Sequence, residues 1–397
     1  MYKIDLNNFQ VATSETARDI NSRIILNLVR ERQPISRADL MRDSGLQRSS
    51  VSVITKQLIK NRWLLEGTTG KLPRGRRPTF LHLNENRAGI FGINIQPCVT
   101  ELALANLSGH FLVRETFPTP RDAATLVAQV SRCIRDWMAK YPRMNFEDIG
   151  VSVPGRINLF SQKLVFAPNL GWHATDLKKQ LESATGLTVH MENAANACAL
   201  AEFWFGKHAE NVRNLVVVTV SEGIGVGMIL NNQLVRGSSG LAGEFGHVTI
   251  NENGPRCSCG NYGCWEMYAS NTAAVRHYNE SKSRGARKGS VKNFSELLQL
   301  VDQGDAAALE TLTYMAEYLG AGIAMLVTGF APNVIAVVGD VTTQWNRINP
   351  VMAEVIRKRV STHAAVKIVP SVSQPPPRLK GSIALILQKH FTVPIGI

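Results

Sequence analysis

One histidine and three cysteines lie within eighteen positions near the middle of the sequence. The surrounding stretch, from Gly243 to Glu266, reads GEFGHVTINENGPRCSCGNYGCWE. Thiolate sulfurs and an imidazole nitrogen are the donors that a tetrahedral zinc ion favours in a closed structural site. The glycines between them allow the backbone to turn sharply, so that all four donors can converge. The pattern predicts a structural Zn²⁺ site with the ligands His247, Cys257, Cys259 and Cys264.

The same cysteines have two other interpretations: small buried residues, or partners in a disulfide. Three cysteines within eight residues beside a histidine are a poor disulfide pattern and a good metal pattern, so we prefer the metal. A fully protein-ligated ion has no open position for a substrate, which argues against a zinc hydrolase. Two glutamates, Glu244 and Glu266, frame the stretch, and the metal would hold them toward a ligand.

The chain has 397 residues, of which 44% are hydrophobic, so two or three globular domains are expected. No apolar run reaches the length of a membrane span, and the N-terminal residues lack the layout of a secretory signal. The other three cysteines are scattered through apolar segments, which is typical of a reducing compartment. We therefore expect a cytoplasmic protein with no membrane partner.

The net charge of +13 is concentrated near the N-terminus, where residues 1–90 contain 16 lysines and arginines against 8 acidic residues. A basic terminal module attracts a polyanion. DNA, RNA and an anionic membrane surface all fit the charge alone. The pattern of helices within the module favours DNA.

Three helical segments are predicted in this basic module. Apolar positions follow helical spacing from about Asn21 until Pro34 ends the first helix, and residues 1–16 show no strong periodicity. Ser36 is typical of the N-cap of a second helix, and Ser44–Gly45 is typical of the turn after it. The third helix lies in LQRSSVSVITKQLIK and has a polar outward face. The second helix of a helix-turn-helix unit enters the DNA major groove. We therefore predict DNA contacts at Gln47, Arg48, Ser49, Ser50, Ser52 and Lys56.

Two strands follow at Leu64–Glu66 and Thr79–Leu83, joined by the loop TTGKLPRGRRP. This arrangement predicts a winged helix. The loop is a flat basic element suited to the minor groove, with predicted contacts at Arg74, Arg76 and Arg77. A helical hairpin with a solvated polar face and a solvated linker are the alternatives. The predicted winged helix-turn-helix DNA-binding domain spans residues 1–86.

Strands and helices alternate beyond residue 86. Three strand-like segments from Gly89 precede a helix over 122–140 and a strand over 148–153. The run NLVVVTVSEGIGVGMILNNQLVRG repeats the three-strand theme with a hairpin turn at Asn231–Asn232, and a helix near 304–329 and a strand over 334–338 follow. Two similar α/β lobes with a cleft between them explain this order. The predicted second domain spans residues 87–397.

Nearly the whole chain resembles the ROK family, which joins bacterial sugar kinases to sugar-responsive repressors. The resemblance rests on the N-terminal winged helix, the GIGVGM turn, GEFGH and CSCGNYGCWE. It implies a two-lobed, actin-like, duplicated ribonuclease-H-like fold, with a sugar bound between the lobes beside the zinc. The sugar contacts that it implies are Gly155, Arg156, Asn193, Glu244, His247 and Glu266, with Asn169 as a weaker candidate.

The phosphate-transfer residues of the family's kinases are not matched. Those kinases have an aspartate and paired glycines in the first phosphate loop, whereas GINIQPCVT has Asn94, Gln96 and Pro97. Their catalytic aspartate follows the asparagine that matches Asn193, and this chain has Ala194 there. Without that carboxylate no evident group deprotonates the sugar hydroxyl, so we expect a kinase-like domain without activity.

The second phosphate turn, SEGIGVG, keeps its glycines but contains Glu222, which would repel ATP. The predicted function is therefore a sugar-responsive DNA-binding transcriptional regulator of carbohydrate genes, and specifically a repressor. An active ROK sugar kinase with a DNA-binding appendage is the alternative. The expected partners are a sugar effector and a palindromic DNA operator, bound by a homodimer or a pair of dimers because two-fold proteins bind two-fold sites.

Overall fold

The computed structural model describes residues 13–69, 78–158, 160–167, 170–172, 176–206, 208, 212–238, 240–284, 290–360, 366–371 and 377–392. The predicted loop contacts Arg74, Arg76 and Arg77 and the weaker sugar candidate Asn169 lie outside these residues. None of the helices in the described part of the chain combines the length and the hydrophobicity of a transmembrane segment.

Three helices and three short strands form the N-terminal part. The Ser36 side chain caps the second helix by accepting a hydrogen bond from the Asp39 N–H at 3.2 Å, and Gly45 ends that helix at a φ of +70°. Both cap residues lie where the sequence predicted them. The elements are α1 (Ser14–Arg32), α2 (Arg37–Ser44), α3 (Arg48–Lys60), β1 (Ile35–Ser36), β2 (Leu64–Thr69) and β3 (Thr79–Leu83).

The first helix begins earlier than predicted. The apolar pattern placed its start near Asn21, but α1 starts at Ser14. Thr13 and Thr16 form a capping box, in which each side chain accepts a hydrogen bond from the backbone N–H of the other residue. The first two turns of α1 bury no side chain, so hydrophobic periodicity could not reveal them.

Two five-stranded sheets with the same strand order form the two lobes. In each sheet three antiparallel strands are followed by two parallel ones, and the order across the sheet is third, second, first, fourth, fifth. The predicted pair of similar α/β lobes is therefore confirmed. The first sheet contains β4 (Ala88–Ile95), β5 (Val99–Ala105), β6 (Phe111–Pro118), β7 (Asn145–Val153) and β10 (Val189–Asn193), and a hairpin of β8 (Arg156–Ile157) and β9 (Leu164–Phe166) lies between the last two in sequence. The second contains β11 (Leu215–Val220), β12 (Ile224–Leu230), β13 (Gln233–Leu234), β14 (Val334–Val338) and β15 (Lys367–Pro370).

Helices cover the sheets and also separate them. Leu126 of the first lobe's outer helix shares one hydrophobic core with Phe91, and Leu319 of the second lobe's long helix shares another with Val218. Two helices, α6 (Ala194–Phe205) and α12 (Pro377–Phe391), pack against each other between the sheets. The helices are α4 (Ala123–Lys140), α5 (Leu177–Thr185), α6 (Ala194–Phe205), α7 (Glu266–Ala269), α8 (Asn271–Arg284), α9 (Phe294–Asp302), α10 (Ala306–Phe330), α11 (Trp345–Arg359) and α12 (Pro377–Phe391).

The far end of α12 contacts the N-terminal helices. Arg23 Nη1 of α1 donates hydrogen bonds to the carbonyl oxygens of Lys389 and Thr392, both at 2.7 Å. Residues of α1, including Ile25 and Val29, share one hydrophobic core with Leu387 of α12. One helix therefore runs from the space between the lobes to the N-terminal module.

Two glycines allow the backbone of α12 to lie close to the backbones of its two neighbours. A Cβ on Gly381 would lie 1.9 Å from the carbonyl oxygen of Ala197 in α6, and a Cβ on Gly150 of β7 would lie 1.9 Å from the carbonyl oxygen of Ser382. Both obstacles are backbone atoms, which cannot move aside as a side-chain tip can. The helix is thus in backbone contact with α6 on one side and with β7 on the other.

We expect Gly381→Ala to lower the free energy of unfolding by about 1–3 kcal/mol, because the added methyl group forces α6 and α12 apart. Gly329→Ala is the matched control: it lies in α10, and its Cβ would meet no atom within 4 Å. That change should leave stability within about 1 kcal/mol of the unchanged protein, because alanine favours helix over glycine. Urea unfolding measures both. Equal midpoints for the two variants would contradict the close packing of α12.

Candidate functional site

The four predicted metal ligands form one cluster. The ligand atoms of His247, Cys257, Cys259 and Cys264 all lie within 4.8 Å of one another. His247 Nδ1 is 3.6 Å from Cys257 Sγ, and the sulfurs of Cys259 and Cys264 are also 3.6 Å apart. A tetrahedral zinc ion, with bonds of about 2.0–2.3 Å, spaces its ligand atoms about 3.5–3.8 Å apart. The residues present therefore fit a four-coordinate metal ion.

The protonation of the thiols also bears on metal binding. Burial raises the pKa of the Cys257 and Cys264 thiols above the ordinary value. A metal ion binds thiolates, so it must displace these protons, and its affinity falls as the pH falls.

No disulfide joins the three cysteines of the cluster, which are all free thiols in the structure. The four residues could hold a metal ion.

Trp265 fixes the metal cluster to the core of the second lobe. This side chain is fully buried, and its Nε1 donates a hydrogen bond to the carbonyl oxygen of Tyr318 in α10 at 2.8 Å. Its backbone N–H donates to the carbonyl oxygen of Val248 at 2.9 Å. Cys264 and Glu266 flank Trp265 in sequence, so this anchor positions one metal ligand and one carboxylate. Sequence reasoning missed it, although a tryptophan between two site residues was a visible signal.

Two carboxylates lie beside the cluster, as predicted. Glu266 Oε1 is 3.0 Å from Cys257 Sγ and 3.3 Å from His247 Nδ1. Glu244 Oε2 is 3.7 Å from His247 Nε2, and the Glu244 side chain is 44% exposed. One nitrogen of His247 therefore faces the cysteines, while the other faces Glu244. Three of the six predicted sugar contacts are brought together here.

The other three predicted sugar contacts lie on the first lobe. Asn193 ends β10 and caps α6: its Oδ1 accepts hydrogen bonds from the N–H groups of Ala195 and Asn196 at 2.7 and 3.4 Å. Its Nδ2 donates to the carbonyl oxygen of Gly155 at 3.1 Å. Arg156 begins β8 and is exposed. Among the described residues, no hydrogen bond joins this set to the one beside the metal cluster.

Two arginine side chains bridge the lobes. Neither of them was selected from the sequence. Arg236 Nε, beyond β13 of the second sheet, pairs with Glu192 Oε2 of β10 at 2.8 Å. Arg378 of α12 donates from Nη1 to Gln96 Oε1 at 3.0 Å and from Nη2 to Ser221 Oγ at 3.2 Å. Gln96 follows β4 of the first sheet and Ser221 follows β11 of the second. An isolated arginine after a proline run carries no sequence signal for this role.

A second group of predicted site residues lies in the N-terminal part of the chain, on α3 and at its N-cap. The side chains of the six predicted DNA contacts, Gln47, Arg48, Ser49, Ser50, Ser52 and Lys56, are exposed or half-buried. Within the described part of the chain, none of the six has a hydrogen-bond or ion-pair partner for its side chain. By contrast, Arg37 of α2 ties α3 to β2: its Nε donates to Thr55 Oγ1 at 3.1 Å, and its Nη2 pairs with Glu66 Oε1 at 2.7 Å.

Solved structures similar to this chain include a transcriptional regulator and a sugar kinase. A solved ROK family transcriptional regulator, a homologue of the Escherichia coli MLC protein, matches with a TM-score of 0.81 and 27% identity, covering 95% of this chain and 97% of its own. A ROK glucokinase from Streptomyces griseus, solved with glucose and AMPPNP, matches with a TM-score of 0.65 and 27% identity. That match covers 100% of the kinase but only 76% of this chain.

Two proteins with similar sequences are also named as transcriptional regulators. The xylose repressor of Bacillus spizizenii is 32% identical over 89% of this chain and 89% of its own. The DNA-binding transcriptional dual regulator NagC of Escherichia coli is 28% identical over 84% of this chain and 83% of its own. The sequence pattern of the ROK family matches residues 90–389. The chain is therefore a member of the ROK family.

Proposed function

We propose that this protein is a sugar-responsive transcriptional regulator, a repressor of carbohydrate genes, that binds an operator through its N-terminal module. The observation that carries this proposal is the outward face of α3 together with its N-cap Gln47, where six polar or basic side chains have no protein partner in the described part of the chain. Recognition of base edges in the DNA major groove requires side chains on a rigid helix whose hydrogen-bond donors are not already paired within the protein. The kinase match leaves about a quarter of this chain uncovered, and the regulator match leaves only a small part uncovered.

The N-terminal module acts as a winged helix-turn-helix over residues 1–86. Helices α2 and α3 form the helix-turn-helix unit, with α3 in the major groove, and β2 and β3 flank the wing. Arg74, Arg76 and Arg77 of the wing contact the minor groove, which attracts arginine where it is narrow. A homodimer, or a pair of dimers, places two such modules on a palindromic operator.

The effector is a monosaccharide or a derivative of one, bound in the cleft between the lobes. Glu244, Glu266 and His247 contact it from the second lobe, and Gly155, Arg156 and Asn193 from the first. Carboxylates, amides and a metal-held imidazole can each bond to neighbouring hydroxyl groups. The xylose repressor and a further relative, the N-acetylglucosamine repressor of Escherichia coli O6:H1, are named for a pentose and an amino sugar, which supports this class of ligand.

The metal is a structural zinc ion held by His247, Cys257, Cys259 and Cys264. A four-coordinate Cys₃His site has no open position, so the ion supplies no catalysis when bound. Its role is to hold His247 at the cleft, with Nε2 toward Glu244. Glu266 depends on the same loop, because it lies beside two of the metal ligands.

Helix α12 transmits the presence of the sugar to the DNA-binding module. Its first turn bridges the two lobes through Arg378, and its last turn bonds to Arg23 of α1. Closure of the cleft around a sugar changes the angle between the lobes, which moves the N-terminal modules of a dimer relative to each other. The operator affinity can change only by the differential affinity of the sugar for the two forms, typically about 1–3 kcal/mol.

The protein does not phosphorylate sugars. Ala194 stands at the start of α6, where the family's kinases place the catalytic aspartate, and the nearby Glu192 carboxylate is buried and paired with Arg236. Gln96 of the first phosphate loop and Ser221 of the second are both bonded to Arg378. The positions that hold ATP phosphates in the kinases are thus joined by a side chain of the protein itself.

The central prediction concerns operator binding and its response to sugar. A shift assay against genomic fragments at stated salt should show sequence preference, and the sugar that most raises the melting temperature in a monosaccharide panel should change operator affinity several-fold or more. Glu244→Ala should bind the operator normally without sugar and lose that response, because a carboxylate in the cleft is removed. Glu252→Ala, an exposed glutamate of the same loop, is the control and should respond fully.

Binding no tighter than to random DNA would exclude the repressor. A full sugar response in Glu244→Ala would place the effector elsewhere on the protein.

The second prediction concerns the metal. Purified protein should contain about one zinc ion per chain by elemental analysis, and Cys257→Ser should contain far less and melt at a lower temperature. Cys98→Ser should match the unchanged protein, because Cys98 lies outside the cluster. A zinc content well below one per chain in the unchanged protein, or full zinc retention in Cys257→Ser, would disprove the site.

The third prediction concerns catalysis. With ATP and a panel of hexoses and N-acetylhexosamines, the protein should show no sugar-dependent ATP turnover, whereas a ROK glucokinase assayed in parallel should. Loss of a general base alone typically costs a factor of about 10²–10⁴ in rate, and the joined phosphate loops lower the rate further. Turnover at a kinase-like rate would favour the alternative, a sugar kinase with a DNA-binding appendage.

A further inference from the structure

One apolar side chain stands in the middle of the polar face of α3. Val53 is 48% exposed, and it is the large hydrophobic side chain of this helix that lies open to solvent. The residues of α3 that reach the core are Val51, Ile54, Thr55 and Leu58. Val53 lies on the opposite side and packs with none of the hydrophobic clusters found in the described residues. It therefore makes no contribution to the core of the module.

The position of Val53 on the helix is that of a groove-facing residue. Successive residues of an α-helix are rotated by about 100°, so Ser49 lies about 40° from Val53 on one side and Ser50 about 60° from it on the other. Val53 thus lies between two of the predicted DNA contacts. A duplex that Ser49, Ser50 and Lys56 all reach passes over the Val53 methyl groups, because Lys56 lies about one turn further along the helix.

The surroundings of Val53 are rigid. Thr55 Oγ1 donates to the carbonyl oxygen of Val51 at 2.8 Å and accepts from Arg37 Nε at 3.1 Å, which locks α3 against α2. Valine is branched at Cβ and has one strongly preferred rotamer in a helix. Its methyl groups are therefore held at a fixed height above the helix surface, as recognition of a single group requires.

The chemistry of valine limits what it can recognise. It has no hydrogen-bond donor or acceptor, so it cannot distinguish guanine, cytosine or adenine by their polar edges. The apolar group that base pairs can present in the major groove is the C5-methyl group of thymine. We propose that Val53 contacts a thymine C5-methyl group in each half-site of the operator, and this specificity rests on the DNA-binding function proposed above.

The test uses the full chain and a duplex selected by it from a random-sequence library at fixed salt. Each thymine of both half-sites is replaced in turn by deoxyuridine, which removes only the C5-methyl group, and Kd is measured by fluorescence anisotropy. At one position the replacement should weaken binding about three- to fivefold per half-site, the change expected for one buried methyl group. In Val53→Ala the ratio of the two Kd values at that position should fall close to one.

Met41→Ala is the matched control, because Met41 is another exposed hydrophobic side chain of the module, 39% exposed on α2. This variant should keep the wild-type ratio. Circular dichroism should show that both variants are folded, since neither side chain is buried.

Three results would overturn the proposal. The first is a selected half-site without thymine, or one in which no deoxyuridine substitution alters Kd. The second is a methyl effect that persists unchanged in Val53→Ala. The third is a Val53→Ala variant whose oligomeric state changes in sedimentation while the ratio of Kd values does not, which would assign Val53 to a protein contact. If the library yields no preferred sequence at all, the DNA-binding function fails as well, and that outcome is distinct from the other three.

Discussion

Helix α12 is held between two neighbours by contacts of backbone against backbone. This helix lies against α6 at Gly381 and against β7 at Gly150, in both cases with a carbonyl oxygen where a side chain would otherwise stand. Such packing leaves no room for α12 to shift along either neighbour without losing both contacts. A rigid helix fixed in this way can carry a displacement from one end to the other. Its two ends lie at the interlobe bridge of Arg378 and at the N-terminal helix α1.

The second lobe is organised around the metal cluster in a similar way. Trp265 anchors the loop to α10, and the four residues that could hold a metal ion, His247, Cys257, Cys259 and Cys264, lie together beside it. Glu266 then lies beside Nδ1 of His247, and Glu244 lies beside Nε2. On the first lobe, the Asn193 side chain is used both to cap α6 and to hold Gly155. The two sets of predicted sugar contacts are thus positioned by interactions within each lobe, and Arg236 and Arg378 connect the lobes.

Local patterns in the sequence predicted much of this structure. The helix caps at Ser36 and Gly45, the hairpin at Asn231–Asn232 and the cluster of His247 with three cysteines follow from short-range chemistry, and each is present. The long-range contacts could not be predicted, because Arg378 meets Gln96 across more than half of the chain and nothing near either residue indicates the pairing. The first turns of α1 were missed for a different reason: they are exposed and so carry no hydrophobic period.

A regulator built in this way must obey thermodynamic linkage, because one coupling free energy connects the sugar site to the operator site. The most direct test is to measure the affinity of the sugar for the protein by calorimetry, first alone and then with the operator in saturating amount. The operator should change the Kd of the sugar by the same factor by which the sugar changes the Kd of the operator, on the order of 5- to 150-fold. An identical sugar Kd in the two experiments would contradict it.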